Sequence, residues 1–213
     1  MKKGKLFIVS GPSGAGKDTV LTYLFKIMPD INLSKSYITR PKRPGDDQKP
    51  KYCFISKEEF LQKLEAGEFL EYNEYVGNYY GTPKTPIIQS IEAGKDIVLE
   101  IDINGAHKVK SQMPEAIGIF IAPPSFAVLK ERLMGRSSES EEQVKNRLKQ
   151  AAIEIKHAQE YDFVVVNDQG KADECASRIS DIILGNYSDT ADSNTIKTNL
   201  IKEVIKDVES VNW

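Results

Sequence analysis

Four short apolar runs punctuate the chain: Leu6-Phe7-Ile8-Val9-Ser10, Ile97-Val98-Leu99-Glu100-Ile101, Ile117 to Ile121, and Phe163-Val164-Val165-Val166. Runs of this length without polar alternation predict strands buried on both faces, as in a parallel sheet. Between them, apolar residues recur at helical spacing. Val20, Leu21, Leu24 and Phe25 follow Lys17, and similar patterns cover Phe126 to Leu133, Glu142 to Ile155 and Ala172 to Leu184. Ser125 and Ser140 stand where N-caps belong, and Ser140 with Gln143 fits a capping box. The alternation predicts an α/β chain with a parallel sheet, helices on both faces, and ligands beyond the carboxyl ends of strands.

From about residue 35 to residue 86 the rhythm changes. A basic, proline-stiffened turn (Thr39 to Gly45) is followed by Tyr52 to Ile55, then a helix capped by Ser56 with Glu59. Phe69 to Val76 and Gly77-Asn78-Tyr79-Tyr80-Gly81-Thr82 complete the stretch. This turn- and tyrosine-rich segment reads as a small mixed α/β insertion. Asn186 to Thr195 reads as a polar linker; after it Ile196, Leu200, Ile201, Val204, Ile205 and Val208 recur at helical spacing up to Val211. A frayed tail and a docked amphipathic helix both fit that segment.

A chain of 213 residues suits one core with inserted subdomains better than two independent domains. Its 40% hydrophobic and 28% charged residues are ordinary for a soluble globular protein, and a net charge of −2 gives no reason to expect nucleic acid as partner. Cys53 and Cys175 are too few for a disulfide framework and lack metal-ligand spacing, which predicts a cytoplasmic protein. Met-Lys-Lys-Gly-Lys mimics the start of an export signal, but the five residues after it are too short an apolar core. No run approaches a membrane span.

The most specific chemistry directly follows the first strand. Gly11-Pro12-Ser13-Gly14-Ala15-Gly16-Lys17-Asp18-Thr19 forms a strand, glycine-rich turn and helix start. Glycines let the backbone wrap an anion closely, with successive N–H groups pointing inward. The positive helix end and the Lys17 ammonium add charge suited to a nucleoside triphosphate. The competing reading, a turn that holds nothing, is weakened by the flanking strand and helix. One position departs from the pattern: Asp18 stands where Ser or Thr normally reaches Mg²⁺, with Thr19 one place on, an order similar to the Gly-Lys-Gly-Thr of adenylate kinases. The Asp18 carboxylate either meets the metal through a water or simply sits at the positive helix end. As a like charge beside phosphates it predicts a lowered triphosphate affinity.

A phosphoryl transferase must also hold its acceptor. Arg40 and Arg43 could clamp a monophosphate bidentately, with Tyr52 and Tyr80 as hydroxyl donors. A basic run is more often a solvated surface. Glu71 fits a surface strand equally well, but could accept from adjacent donors such as guanine N1–H and the 2-amino group.

Over residues 4 to 184 the pattern as a whole resembles guanylate kinases. The matching segments are the phosphate loop, Ser36-x-x-Thr39-Arg40-x-x-Arg43-Pro44-Gly45, Tyr52-x-Phe54, Glu68-Phe69-Leu70-Glu71 and Gly77-Asn78-Tyr79-Tyr80-Gly81. Glu100-Ile101-Asp102-x-x-Gly105, Gly135-Arg136 and Val165-Val166-Asn167-Asp168 complete them, and in this order they are highly specific. The resemblance implies transfer of the ATP γ-phosphoryl group to GMP, and to dGMP as well, with Mg²⁺. It implies a P-loop three-layer fold: a five-stranded parallel core (1–34 and 87–184), a GMP-binding insertion (about 35–86), and a lid (about 135–143). Residues 185–213 lie beyond it.

Carried over by position, Ser36, Arg40, Arg43, Tyr52 and Tyr80 form the GMP phosphate site. Glu71 and Thr82 read guanine, Thr82 replacing the frequent Ser. Residues Gly11 to Thr19 with Arg132 and Asn167 hold ATP, and Lys17, Arg136 and Arg147 are catalytic. Asp102 lies near the metal and the GMP base; Thr19 and Asp102 would reach the metal through water. Asn104 replaces the usual Gln of that motif. On their own, the arginines around Gly135 would be solvated charge or weak ion pairs. In the family, the lid arginines close over the transferring group, and the insertion and lid are expected to move onto the sheet. His107 and His157 read as structural or surface residues, and Glu68, Glu100 and Asp168 as loop supports. A homodimer is left open. A catalytically silent phosphopeptide-binding module is a competing class, but such modules tend to have a degraded loop and lid, and here Lys17 and the arginines are all present. A sugar-phosphate kinase on the same fold is the other, and Glu71 with Thr82 argues against it.

Overall fold

The computed structural model describes residues 2–43, 46, 51–135, 141–187 and 190–210. In chain order the elements are β1 (Leu6–Ser10), α1 (Lys17–Ile27), β2 (Asn32–Leu33), β3 (Ser36–Ile38), β4 (Tyr52–Phe54) and α2 (Lys57–Glu65). Next come β5 (Phe69–Tyr75), β6 (Asn78–Pro83), α3 (Lys84–Glu92), β7 (Ile97–Glu100), α4 (Ile103–Gln112) and β8 (Ile117–Ala122). The last are α5 (Phe126–Met134), α6 (Glu141–Lys156), a 3-10 turn (His157–Glu160), β9 (Phe163–Val166), α7 (Ala172–Leu184) and α8 (Thr190–Ser210).

The apolar runs form a five-stranded parallel sheet in the order β2-β7-β1-β8-β9. β1 is buried along its whole length and β8 along all but its first residue, which is why neither shows polar alternation. The expected α/β fold is therefore present. Its outer strand β2 has only two residues, paired Asn32↔Ile97 and Leu33↔Val98, too few to carry a periodic signal. The insertion builds a second sheet, β4-β3-β6-β5, with α2. Within it β3 runs parallel to β4 and antiparallel to β6, and β6 antiparallel to β5.

By packing, the chain separates into residues 1–8 with 31–117 and residues 9–30 with 118–213. In the first unit, Phe60 of α2 stacks on Phe69 (centroids 4.5 Å apart) and on Tyr79 (5.3 Å), so three rings close the insertion's core. Ser56 caps α2 by accepting from the Glu59 N–H at 3.1 Å. α3 follows β6 directly and carries Pro86 in its first turn, where a missing N–H is harmless.

In the second unit, Val20, Leu21 and Leu24 of α1 and Cys175, Ala176, Ile179 and Ile182 of α7 are buried, and the two helices pack together. Ser125 caps α5 through the Val128 N–H (3.1 Å), whereas Ser140, the expected cap of α6, lies outside the described residues. α8 takes in Thr190 to Thr195, which polarity alone assigns to a linker; Asn194 and Thr195 are exposed, so their polarity does not mark a break in the helix. It is docked. Leu200 is buried, Lys197 donates to the Tyr161 carbonyl (2.6 Å), and Glu203 accepts from the Phe126 N–H at the start of α5 (3.2 Å). Burial holds the Lys197 ammonium below its ordinary pKa.

Candidate functional site

The turn after β1 needs its glycines. A Cβ on Gly11 (φ +156°) would run into the Ile121 carbonyl oxygen, and one on Gly16 (φ +86°) would lie 2.5 Å from Asn167 Nδ2. Gly16 is also the N-cap of α1 and offers no side-chain acceptor, so no capping side chain stands between the positive end of the helix and an anion. Lys17 Nζ donates back across the loop to the carbonyls of Gly11 (2.6 Å) and Pro12 (3.2 Å). Ala15 N–H donates to Pro12 O (3.1 Å), tightening the turn. Asp18 and Thr19 are exposed in the first turn of the helix.

Three distant segments fix this loop. Asn167, buried just past β9, donates through Nδ2 to Ala15 O (2.7 Å) and accepts at its own carbonyl from Arg132 Nη2 (3.0 Å). Arg147 of α6 donates to Ser13 Oγ (2.7 Å), and the Ser13 N–H donates to Glu154 Oε2 (3.2 Å). Gly14, Gly16, Thr19, Tyr23, Arg132 and Asn167, with the loop Asp168–Gly170, line a cavity of about 310 Å³. Arg132 Nη1 is buried with no hydrogen-bond partner among the described residues. Such orphaned donors are uncommon in folded proteins, and a cationic one beside a phosphate loop fits an anion as its partner. Arg136 and the remainder of the expected lid through Ser140 lie outside the described residues.

The acceptor-side residues all belong to the other unit. Register pairs Ser36 with Tyr52 and Ile38 with Tyr80, so Ser36, Tyr52 and Tyr80 sit on adjoining strands. Arg40 is held over the Tyr52 and Phe54 rings, 5.6 and 5.5 Å from their centroids. Its guanidinium forks onto Asp46 at 2.7 and 3.2 Å, and Asp46 Oδ2 also accepts from the Arg43 N–H at 2.7 Å. The Arg40 guanidinium, helped by the Arg43 N–H, lowers the Asp46 carboxyl to about 2. The Arg43 side chain is exposed.

Thr82, fully buried, donates to Glu71 Oε1 at 2.6 Å. Burial pushes the Glu71 carboxyl above its usual pKa, the Thr82 bond opposes that, and the neighbouring Asp102 charge adds to it. Glu71, Asn73, Asp102, Asn104, Gly105, His107 and Lys108 line a second cavity of about 310 Å³. Asp102 Oδ1 caps α4 by accepting from the Gly105 N–H at 2.7 Å. Lys51 pairs with Glu100 at 2.9 Å, consistent with a supporting role for that glutamate.

Three partners escape sequence inspection. Asp46 has a local signal, a carboxylate closing a Pro-rich turn three residues after Arg43. Tyr23 sits one helical turn past Thr19 on the cavity side of α1, outside the apolar spacing of that helix, and belongs to no motif. Glu154 has no local signal, because its partner lies 141 residues away.

The chain as a whole is similar to known proteins. The guanylate kinase family model matches residues 3–184. A guanylate kinase of Oceanobacillus iheyensis is 48% identical over 168 residues, covering 79% of this chain and 82% of that protein. One from Trichodesmium erythraeum is 44% identical over 168 residues, covering 79% and 90%. The crystal structure of guanylate kinase from Anaplasma phagocytophilum superposes with a TM-score of 0.68 at 34% identity, covering 89% of each chain.

Proposed function

This chain belongs to the guanylate kinase family and phosphorylates GMP to GDP with ATP, and on that premise we propose how its residues divide the work. The phosphate loop and Lys17 hold the triphosphate, with Arg132 and Arg147, and Arg136 from the lid, around the transferring phosphoryl group. Little covalent chemistry falls to the protein in such a transfer, so positioning and charge stabilisation carry the rate. The start of α1, which has no side-chain cap, and the orphaned Arg132 Nη1 support that side.

On the acceptor side, Ser36, Arg40, Arg43, Tyr52 and Tyr80 hold the GMP phosphate, Arg40 being kept in place by Asp46 and the two rings. Glu71 and Thr82 read the guanine edge. The observation that carries the base assignment is the 2.6 Å Thr82–Glu71 bond on the wall of a cavity. Thr82 occupies one carboxylate oxygen and orients the group, which leaves an acceptor for adjacent N–H donors.

The oxygen donors at the start of α1 suit Mg²⁺, which prefers carboxylate, hydroxyl and water. Thr19, and Asp18 beside it, would hold the ion through water from an exposed turn; Asp102, the other carboxylate expected at the metal, belongs to the other unit, with one oxygen committed to its helix cap. Bound there, Mg²⁺ would neutralise phosphate charge during transfer. Both cysteines are free thiols, and among the described residues no helix is long and apolar enough to cross a membrane. A place in purine nucleotide metabolism in the cytoplasm follows as part of the proposal, with dGMP as a second acceptor.

A coupled ADP-release assay over a panel of nucleoside monophosphates, with and without Mg²⁺, tests these assignments. GMP and dGMP turn over and the rate needs Mg²⁺. Equal turnover of AMP, CMP and UMP would remove the role given to Glu71 and Thr82.

A further inference from the structure

We propose that Glu154 is a positioning residue for phosphoryl transfer: through Ser13 it registers helix α6, and with it Arg147, against the phosphate loop. The inference rests on the kinase reading above and concerns a residue to which that reading gives no part.

Ser13 is gripped from both ends by one helix. Its hydroxyl accepts from Arg147 Nη2 at 2.7 Å and its backbone N–H donates to Glu154 Oε2 at 3.2 Å. Arg147, Gln150 and Glu154 are spaced by three and then four residues, so they share one face of α6. Gln150 Nε2 donates to Glu154 Oε1 at 3.2 Å, so both carboxylate oxygens are engaged. Leu148, Ala151, Ala152 and Ile155 are buried, and they carry the packing of the helix. That apolar contact fixes how closely α6 lies in its unit, but apolar burial is non-directional. Two directed bonds at Ser13 fix rotation and register.

The charge of Glu154 is otherwise unhelpful. A carboxylate beside a phosphate cradle repels the substrate, so electrostatics alone would favour a neutral side chain there. Its bond to the loop N–H is charge-assisted, stronger and more directional than a neutral acceptor would give. Arg147 needs that precision, since a catalytic group displaced by about 1 Å can lose on the order of a hundredfold in rate.

Glu154→Leu and Glu154→Gln, each alone and combined with Arg147→Ala, test this in the full chain with GMP, ATP and Mg²⁺. Wild-type turnover of GMP is measured first, so failure of the kinase reading is seen separately from failure of this one. Amide hydrogen exchange at Ser13 supplies a readout that needs no activity. The expected result is a loss of about tenfold or more in kcat for Glu154→Leu, with the GMP KM and the melting temperature little changed and Ser13 exchange accelerated. Glu154→Gln, keeping an oxygen for the loop but not the charge, recovers only part of the loss. In the Arg147→Ala background Glu154→Leu has almost no further effect, because the residue acts through that arginine. Full additivity of the two losses would overturn the proposal. So would unchanged kcat in Glu154→Leu, or Ser13 exchange that does not respond.

Discussion

Replacing Glu71 with Gln separates recognition from stability. In the native site Glu71 Oε1 accepts from Thr82 Oγ1 at 2.6 Å, and the amide oxygen of Gln can keep that bond. What changes is the outer atom, which turns from an acceptor into an N–H donor facing the N–H donors of guanine. Leaving a donor unpaired in a closed site costs about 1–3 kcal/mol. On the GMP KM that is a rise of about 5- to 150-fold, a tenfold change corresponding to about 1.4 kcal/mol. Stability moves the other way. Burial raises the Glu71 carboxyl above its ordinary 4.5, so the ionised form is disfavoured in the fold. For such a group the folded state holds its proton more readily, and stability falls as pH rises from the unfolded value through the folded one. Above the raised folded value that loss is complete, and Gln avoids it. The melting temperature of Glu71→Gln should therefore equal or exceed that of the wild type. The same titration predicts that the wild-type GMP KM climbs as pH falls through the raised Glu71 pKa, a step missing in the variant. Coupled ADP-release kinetics over a descending pH series, beside thermal melts, measure both. Normal GMP kinetics with a collapsed melting temperature would refute the reasoning.

Lys17→Ala and Arg136→Ala should mainly lower kcat, and Arg43→Ala mainly raise the GMP KM, because the first two meet charge developing in transfer while the third holds a phosphate that changes less; losses confined to the GMP KM in all three would contradict it. Asp18→Ser should tighten ATP–Mg²⁺ binding by no more than about fivefold, the scale of exposed charge pairs, with little change in turnover. A tenfold drop in kcat, about 1.4 kcal/mol of barrier, would instead place Asp18 in the metal site. Burial raises the Cys175 thiol to about 12, so a thiol reagent at neutral pH should modify only the half-buried Cys53 in the folded protein and both residues once denatured. Mass spectrometry after timed alkylation counts the adducts.

What could be read from the chain was set by how locally each feature is determined. The strands β1, β7, β8 and β9 are apolar because both faces are covered, and that burial writes itself into consecutive residues. β2 has two residues and β3 three, so neither spans enough chain to show a period. α3 begins Lys-Thr-Pro, which suggests a turn until Pro86 is placed in a first helical turn. At the sites, residue types in the motifs were legible, since phosphate and carboxylate chemistry admits few alternatives. Their pairings were not. That Arg40 is clasped by Asp46, that Asp102 caps α4, and that Ser13 is held by Arg147 and Glu154 depend on which segments meet in space.

The bonds that close the phosphate loop are among the most distant along the chain. Ala15 waits for Asn167 across 152 residues, and Ser13 for Arg147 and Glu154 across 134 and 141. Contacts of such separation come late in folding, because loop-closure entropy must be met before they return anything. On a ribosome making about 5–20 residues per second, the loop emerges many seconds before its clasps exist. A growing chain that stops short of α6 therefore carries the most recognisable motif of the protein without the means to shape it. Affinity for ATP should arise abruptly once α6 and the residues after β9 have emerged, so the nucleotide can steady the assembled site but cannot help to start the fold.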